Sequence, residues 1–293
     1  MTFLNFLISG ISLGSIYAII ALGYTMVYGI AKMLNFAHGD VIMVGAYICF
    51  YAVSRFSLPP LAGVLLAMLV CTVLGMVVER LAYKPLRAAP SLAVLITAIG
   101  VSYFLQNGAQ LIWGSAPKNF ASIVPLKPVF LAGGALVITG EVIVTILASA
   151  LIMVGLTLFT TKTKIGKAMR AVSEDRAAAQ LMGISVNNTI SMTFAIGSAL
   201  AAIAGVLLCS TVPTLQPTTG AMPGIRAFTA AVFGGIGSIP GAMLGGILLG
   251  IIETFSKAYI STQFSDAIVF SVLIIILLVK PAGLLGKQIQ EKV

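Results

Sequence analysis

The stretch Lys164 to Ile184, KIGKAMRAVSEDRAAAQLMGI, determines how the rest of the chain is interpreted, because it is charged and helical within an otherwise apolar sequence. Ser173 can serve as an N-cap, and the two acids that follow it then lie in the first turn, where the helix dipole favours negative charge. Gly183 lies where a left-handed residue would end that helix. The stretch therefore predicts two consecutive helices, the first and shorter one over Lys167–Val172.

Basic side chains outnumber acidic ones in and just before this stretch. Positive charge close to membrane spans is retained on the cytoplasmic side, and apolar runs flank the stretch on both sides. We therefore expect residues 161–188 to form a compact cytoplasmic segment that docks a partner, with a solvated connecting loop as the alternative. The basic residues are Lys162, Lys164, Lys167, Arg170 and Arg176.

The composition places the whole chain in a membrane. Of its 293 residues, 59% are hydrophobic and only 9% are charged, whereas soluble proteins have roughly 45–50% and about 25%. The 30 glycines suit closely packed membrane helices. The net charge of +9 lies between apolar runs, where orientation in the bilayer explains it, so it does not indicate nucleic-acid binding.

Apolar runs predict an all-α polytopic bundle of about eight to nine transmembrane segments in a single domain, residues 1–293. A bilayer core of about 30 Å needs roughly 20 apolar residues in a helix. The broken pair at residues 224–256 contains the Gly/Pro-rich stretch 234–241, so we expect either a re-entrant hairpin or two short spans there. The remaining spans are Asn5–Tyr28, Val41–Val53, Leu61–Val78, Ser91–Trp113, Glu141–Thr160, Thr189–Ser210 and Asp266–Val279.

The distribution of basic residues predicts the orientation. Glu79–Arg87 reads as a short basic cytoplasmic loop, residues 114–139 as the outer connection, and the chain after Val279 as cytoplasmic. Five spans precede the charged stretch, so the N-terminus should lie outside. No Lys or Arg precedes Lys32, which favours a retained first span over a cleaved signal peptide.

No sequence pattern of a familiar catalytic site occurs. Walker, nucleophile-elbow, CxxC, HExxH and GxGxxG patterns are missing from the sequence, so neither ATP hydrolysis nor a familiar reaction is expected of this chain, and no cofactor is implied. The three cysteines lie at irregular spacing in apolar runs, which predicts buried thiols rather than a disulfide framework or a metal site. They are Cys49, Cys71 and Cys209.

Two segments could line a substrate path. His38 beside Asp40 is compatible with a proton relay, since ionisable residues in a membrane are often functional, but also with a simple helix junction. The glycine break is compatible with unwound backbone along a cavity, and equally with close helix packing. Glu253 and Asp266 lie near predicted outer ends, where hydration would make them unremarkable. The path candidates are Asn35, Phe36, His38, Gly39, Asp40, Gly234, Gly235, Gly237 and Ser238.

Five ordered motifs resemble one known family, the permease subunits of bacterial branched-chain amino acid ABC importers of the LivH type. The resemblance runs nearly end to end. The motifs are Gly14-Ser-Ile-Tyr-Ala18, Asn35-Phe-Ala-His-Gly-Asp40, Glu79-Arg-Leu-Ala-Tyr-Lys-Pro-Leu-Arg87, Gly166-Lys-Ala-Met-Arg-Ala171 and Gly234-Gly-Ile-Gly-Ser-Ile-Pro-Gly-Ala242.

The resemblance implies a non-catalytic subunit of the bacterial inner membrane, similar in fold to the ribose-class permeases. Its partners would be a second, usually different permease, two cytoplasmic ATPases and a periplasmic amino-acid-binding protein. Residues 166–183 would then be the coupling segment in an ATPase groove. The implied contacts are Gly166, Lys167, Ala168, Arg170, Ala171, Glu174, Asp175, Ala178, Ala179, Leu181 and Gly183.

The coupling segment departs from the family signature at one position. Ala178, Ala179 and Gly183 match its Ala-Ala-xxx-Gly part, but the acid that precedes the alanines is Ala177 in this chain. Whether Glu174 or Asp175 takes over its polar contact is left open.

Three other functions compete with the import of branched-chain amino acids. The same family includes permeases for urea and short amides, and the permease sequence distinguishes these substrates poorly. A proton-coupled secondary transporter would use His38 and Asp40. A membrane-embedded enzyme is the third alternative, although no convergent set of nucleophile, base and orienting group is visible.

Overall fold

The computed structural model describes residues 2–131 and 136–286, and these form a helical bundle. The helices are α1 Thr2–Ala31, α2 His38–Ser54, α3 Pro60–Val78, α4 Ser91–Trp113, α5 Gly140–Lys162, α6 Lys164–Glu174, α7 Arg176–Leu181, α8 Val186–Thr211, α9 Ala221–Gly234, α10 Ile239–Tyr259 and α11 Ser265–Val279. The strands are β1 Lys118–Asn119, β2 Val129–Leu131, β3 Leu136–Ile138 and β4 Thr214–Leu215.

Within the described residues, six helices are long and apolar enough to cross a bilayer, namely α1, α3, α4, α5, α8 and α10. The helices α2 and α11 are apolar but shorter, and α9 has only 14 residues. The predicted bundle of about eight to nine segments agrees with this set. The first apolar run forms α1.

The outer connection is less irregular than its sequence suggested. The strand pairs β1–β4 and β2–β3 are both antiparallel and only two or three residues long. Pairing of β1 with β4 ties this connection to the chain that leaves α8. The fold is therefore helical with small strand pairs at one end.

The helix α1 is the axis of the bundle. Its residues from Gly14 to Val27 are all buried, and it packs against α5, α8, α9 and α10. Its longest contact is with the antiparallel α10, where a Cβ added at Gly14 or Gly250 would meet the backbone of the other helix. Small residues at this crossing allow the two backbones to touch.

A second layer of α2, α3 and α8 lies beside this axis. Gly45 of α2 approaches Ala202 of α8, and Gly75 of α3 approaches Ser198. The outer faces of α3, α4 and α5 carry exposed apolar side chains, for example Leu69, which is 62% exposed, and Leu111, which is 89% exposed. Apolar side chains on that surface suit contact with lipid.

The segment between α1 and α2 folds back into the bundle. Lys32 has a left-handed backbone, with φ of 53°. The chain then runs back along α1, so that His38 lies against Gly23 of that helix. Gly23 is two turns before the end of α1, which corresponds to about 12 Å. The helix α2 therefore begins inside the bundle.

The broken pair consists of a short helix and a full-length helix. The helix α9 begins against Gly39, where a Cβ added at Gly220 would meet the Gly39 backbone. At about 1.5 Å per residue its 14 residues reach about 21 Å, short of the 30 Å or so that a bilayer core requires. A turn with left-handed glycines, Gly235 at φ 106° and Gly237 at φ 93°, then leads into α10.

The predicted loop conformation of Glu79–Arg87 was wrong, because most of this segment is helical. The chain continues from α3 as a π-helical turn over Glu79–Tyr83 and a 3-10 turn over Lys84–Leu86. Glu79 is only 1% exposed and forms an ion pair with Arg87. Because its charge is paired, the carboxylate can be buried and the helix can continue through it.

Other predictions concern thiols and the C-terminus. Cys49, Cys71 and Cys209 are free and buried, which confirms the interpretation as buried thiols. The predicted cytoplasmic C-terminus includes residues 287–293, which lie outside the described residues.

The close crossing of α1 and α10 makes a testable prediction about stability. Gly250→Val should lower the melting temperature and folded yield of the detergent-purified chain, because its Cβ would meet the backbone of Gly14 and overpacking costs about 1–3 kcal/mol or more. Gly155→Val is the matched control, since a Cβ at Gly155 in α5 meets nothing within 4 Å. Equal losses in the two variants would contradict the crossing.

Candidate functional site

Residues 164–183, which include the predicted coupling residues 166–183 and are called the coupling segment from here on, are anchored on one face. The hydroxyl of Thr163 accepts a hydrogen bond from the Gly166 amide at 3.0 Å and caps α6. Met169 and Val172 are buried against the bundle, and α6 packs against α1, α5 and α8. A strongly two-faced helix such as α6 leaves its other side to solvent.

The boundary between α6 and α7 differs from the sequence prediction. Ser173 is not an N-cap but lies within α6, where its hydroxyl donates to the Arg170 carbonyl at 2.7 Å. Asp175 is the N-cap instead, since its carboxylate accepts from the amides of Ala177 at 2.8 Å and Ala178 at 3.0 Å. Its extended backbone, φ −149° and ψ 115°, breaks the helix there.

The relative lengths of the two helices were also predicted wrongly. The first has 11 residues and the second has 6, because the break occurs after Glu174 rather than before Ser173. Gly183 has φ of 80° just after α7, which confirms the left-handed end.

The end of α7 presents two large apolar side chains. Leu181 is 88% exposed and Met182 is 81% exposed, whereas Ala179 on the inner side is 3% exposed. Exposed apolar residues at the end of a charged, anchored segment are typical of a contact surface.

The predicted coupling residues divide between these two sides. Gly166 and Ala179 are buried and hold the segment in place, and Ala168 and Ala171 are half-buried. The exposed members are Lys167, Arg170, Glu174, Asp175, Ala178, Leu181 and Gly183.

The sequence interpretation did not identify a polar cluster that lies beside the coupling segment. We call it the inner polar cluster: Glu79, Arg87, Arg176, Asn187 and Ser191. Arg87 donates to Asn187 and Glu79, and Ser191 donates to Glu79 at 2.6 Å. Burial, together with the positive charge of Arg87, lowers the pKa of Arg176 below its ordinary value. The cluster connects the end of α3 to α8, and Arg176 of α7 lies close to Arg87.

Arg176 also connects α7 to the central helix. Its guanidinium donates to the carbonyl of Ala31, the last residue of α1. Cations at a helix C-terminus satisfy free carbonyls and suit the dipole. The coupling segment is thereby joined to the end of α1.

The break between α1 and α2 is held by contacts on several sides. Asn35 accepts a hydrogen bond from the Tyr83 hydroxyl at 2.8 Å. Phe36 packs on Phe228 of α9 with 5.6 Å between ring centroids. Gly39 lies against the start of α9.

His38 and Asp40 face different neighbours. The His38 ring packs edge-on against Tyr24 of α1, with 4.7 Å between centroids. Asp40 accepts from the Gln106 amide of α4 at 2.9 Å. No hydrogen bond joins the two within residues 2–131 and 136–286, and this arrangement favours the helix junction over the proton relay.

The glycine break lies at the other end of α9. A Cβ at Gly234 would meet the Gly241 backbone, whereas none of the described atoms is within 4 Å of a Cβ at Gly237. Gly235 contacts Gly286, and the Ser238 hydroxyl caps α10 by accepting from the Gly241 amide at 3.2 Å. The two groups of path candidates thus lie at opposite ends of α9.

The sequence interpretation also did not identify a second polar cluster. We call it the outer charge cluster: Tyr17, Arg226, Glu253, Lys257 and Asp266. Glu253 is completely buried rather than hydrated, and it pairs with Arg226 at 2.9 Å and Lys257 at 2.5 Å. The expectation that it would be unremarkable was wrong, because Arg226 of α9 and the Tyr17 hydroxyl of α1 also contact it from other helices. The spacing of Glu253 and Lys257 along α10 was the one available signal.

Comparison with known proteins agrees with the motifs. The family described as "Branched-chain amino acid transport system / permease component" matches residues 6–277. The chain belongs to this family. The resemblance inferred from the sequence is therefore confirmed.

Its curated relatives share almost the full length. The chain is 46% identical over 301 residues to the high-affinity branched-chain amino acid transport system permease protein BraD of Pseudomonas aeruginosa, covering 99% of this chain and 98% of the relative. Identity to LivH of Escherichia coli is 43% over 304 residues, with 99% and 98% covered. The ribose import permease protein RbsC of Haemophilus influenzae is 27% identical over 253 residues, with 82% and 73% covered.

The contact of Asp40 with Gln106 allows a test that distinguishes the helix junction from the proton relay. Asp40→Asn should keep most of the transport activity, because an amide oxygen of the same shape still accepts from Gln106. Asp40→Leu should reduce it, since the partly buried Gln106 amide then keeps only its longer contact with the Ser102 hydroxyl, at 3.3 Å. Uptake by membrane vesicles measures both. Loss of transport in Asp40→Asn equal to that in Asp40→Leu would favour a titrating carboxylate.

Proposed function

We propose that this chain is the permease subunit of an ATP-driven importer that carries leucine, isoleucine and valine across the bacterial inner membrane. Support comes from near-full-length relatives whose names specify branched-chain amino acids. The relative named for ribose is more distant. A periplasmic binding protein would deliver the amino acid to the outer face.

The chain itself would be the non-catalytic part of this importer. Its sequence has no nucleotide-binding pattern, so energy must come from partner ATPases on the cytoplasmic side. The observation that carries this proposal is the anchored coupling segment, with Leu181 and Met182 exposed at its end. Exposed apolar side chains at the end of an anchored segment suit insertion into a groove of another protein.

Coupling would then pass from the segment into the bundle. Arg176 joins α7 to the end of α1, and α6 packs against α1, α5 and α8. Packed helices move between discrete arrangements rather than deforming continuously. A displacement of the segment by the ATPases would therefore move α1.

The substrate path would follow the broken helices. The helices α2 and α9 both begin inside the bundle, where Gly39 meets Gly220. Transporter sites are commonly formed at such discontinuous helices. A second permease, of the same family, would complete the path.

The orientation follows from the same assignment. Arg176 joins the coupling segment to the end of α1 and lies close to Arg87 of the turn at Glu79–Arg87, so all three would face the cytoplasm. The strand pair β1–β4 would face the periplasm, as would the N-terminus.

A double variant tests the coupling contact. Leu181→Gln with Met182→Gln should insert and fold normally, because both side chains are exposed. It should fail to retain the ATPases on co-purification, and uptake of leucine by the reconstituted complex should fall roughly tenfold or more, since buried apolar anchors contribute about 2 kcal/mol or more at an interface. Leu126→Gln, a 50% exposed leucine in the outer connection, is the control.

The same uptake assay tests the substrate. Unlabelled isoleucine and valine should compete with leucine, whereas urea and a short amide should not. Competition by urea, without competition by isoleucine or valine, would show that the substrate is urea and not a branched-chain amino acid.

The outcome that contradicts the coupling contact concerns the double variant. Retained ATPases and wild-type uptake in that variant would show that residues 164–183 are an ordinary solvated loop.

A further inference from the structure

The outer charge cluster has an unusual arrangement for charges inside a bundle, since one arginine connects four helices. Arg226 of α9 donates to the Tyr17 hydroxyl of α1 at 3.2 Å and to Glu253 of α10 at 2.9 Å. It also pairs with Asp266 of α11 at 2.6 Å. Arg226 is thus the polar contact that holds α9 to three of its neighbours, α1, α10 and α11, at once.

The position of Arg226 on α9 determines which end of that helix its contacts hold in place. The helix α9 starts inside the bundle, and Arg226 lies in its second turn. The other end of α9 is fixed by the glycine turn, where Gly234 touches Gly241. Without Arg226, the starting end of α9 would depend on packing alone.

The loop that precedes α9 is polar and partly exposed. Thr218 is exposed and Gln216 and Thr219 are half-buried, although Gly220, at the end of the loop, lies against Gly39 inside the bundle. Irregular backbone at membrane depth does not face lipid, so it must line a hydrated cavity or contact protein. The position of α9 therefore sets the position of a polar lining.

We propose that Arg226 is a positioning residue for transport, which holds the start of α9 and so places the loop Gln216–Thr219 along the substrate path. This inference rests on the proposed function and adds to it the residue that orients the half-length helix. Arg226 acts through α9 and does not itself contact the substrate.

The second cation of the cluster provides a matched comparison. Lys257 and Arg226 both bind the same atom, Oε1 of Glu253, at 2.5 and 2.9 Å. Lys257 lies one turn after Glu253 on the same helix, so its contact holds no other element in place. Removing Lys257 removes a charge from Glu253 but leaves α9 fixed.

Removing Arg226 has the opposite effect. Glu253 keeps two donors, Lys257 and the Tyr17 hydroxyl at 2.8 Å, so its buried charge stays paired. The remaining partner, Asp266, is 38% exposed and can be hydrated. The loss is therefore specific to the position of α9.

The test compares Arg226→Gln with Lys257→Gln in the complete importer, reconstituted with its ATPases and binding protein. Arg226→Gln should reduce the maximal rate of leucine uptake at least about tenfold, the equivalent of one lost charged hydrogen bond, with unchanged complex yield and ATPase retention. Lys257→Gln should stay within about twofold of the parent. Arg226→Lys should fall between them, because a lysine cannot bridge both carboxylates as a guanidinium does.

A second readout follows the loop directly and does not depend on the substrate. Thr218→Cys, in a chain without its native cysteines, reports the exposure of the loop to an impermeant thiol reagent. Combination with Arg226→Gln should change the labelling rate about tenfold, by the same energy, whereas combination with Lys257→Gln should not. Equal effects of the two charge removals, on uptake or labelling, would overturn the positioning role. Failure of the parent complex to transport leucine would reject the proposed function alone.

Discussion

The backbone contact between α1 and α10 is the constraint on which the rest of the structure depends. Glycines at this crossing let the two helices touch, so α1 becomes a buried axis from Gly14 to Val27. Helices that cannot gain from the hydrophobic effect in lipid associate through such close packing. Once α1 is fixed, α2, α8 and α9 are placed against it, and the broken helices can begin inside the bundle.

Two of the three buried carboxylates in the described residues are paired with an arginine, Glu79 with Arg87 and Glu253 with Arg226, whereas Asp40 accepts from the Gln106 amide. Both polar clusters reach α1: the inner one through Arg176 at the Ala31 carbonyl, and the outer one through the Tyr17 hydroxyl. Buried ion pairs are costly to desolvate and are best understood as devices that fix one arrangement. The Arg176 hydrogen bond joins the coupling segment to α1, and the outer charge cluster joins the half-length helix α9 to it, so a shift of α1 would displace both.

The sequence predicted the class of fold because its signals are local. Apolar run length located the spans, and Gly183 and the glycine break were recognised by residues that tolerate a left-handed backbone. The Ser173 cap was misplaced because Asp175 competes for the same role two residues later. The role of Glu253 could not be predicted, since its partners Tyr17 and Arg226 are distant in the chain and meet only after the bundle forms.

The central claim is that α1 transmits movement of the coupling segment through the bundle as a rigid rod. A pair of spin labels at Lys167 and Leu92 measures the distance between the coupling segment and the inner end of α4. A second pair at Phe3 and Leu111 measures the distance between α1 and the outer end of α4. Phe3, Leu92 and Leu111 are suitable sites because they are 59%, 65% and 89% exposed. Pulsed electron resonance on the full complex, with and without a non-hydrolysable ATP analogue, should show both distances changing together. A shift of the inner distance with the outer distance unchanged would contradict the account.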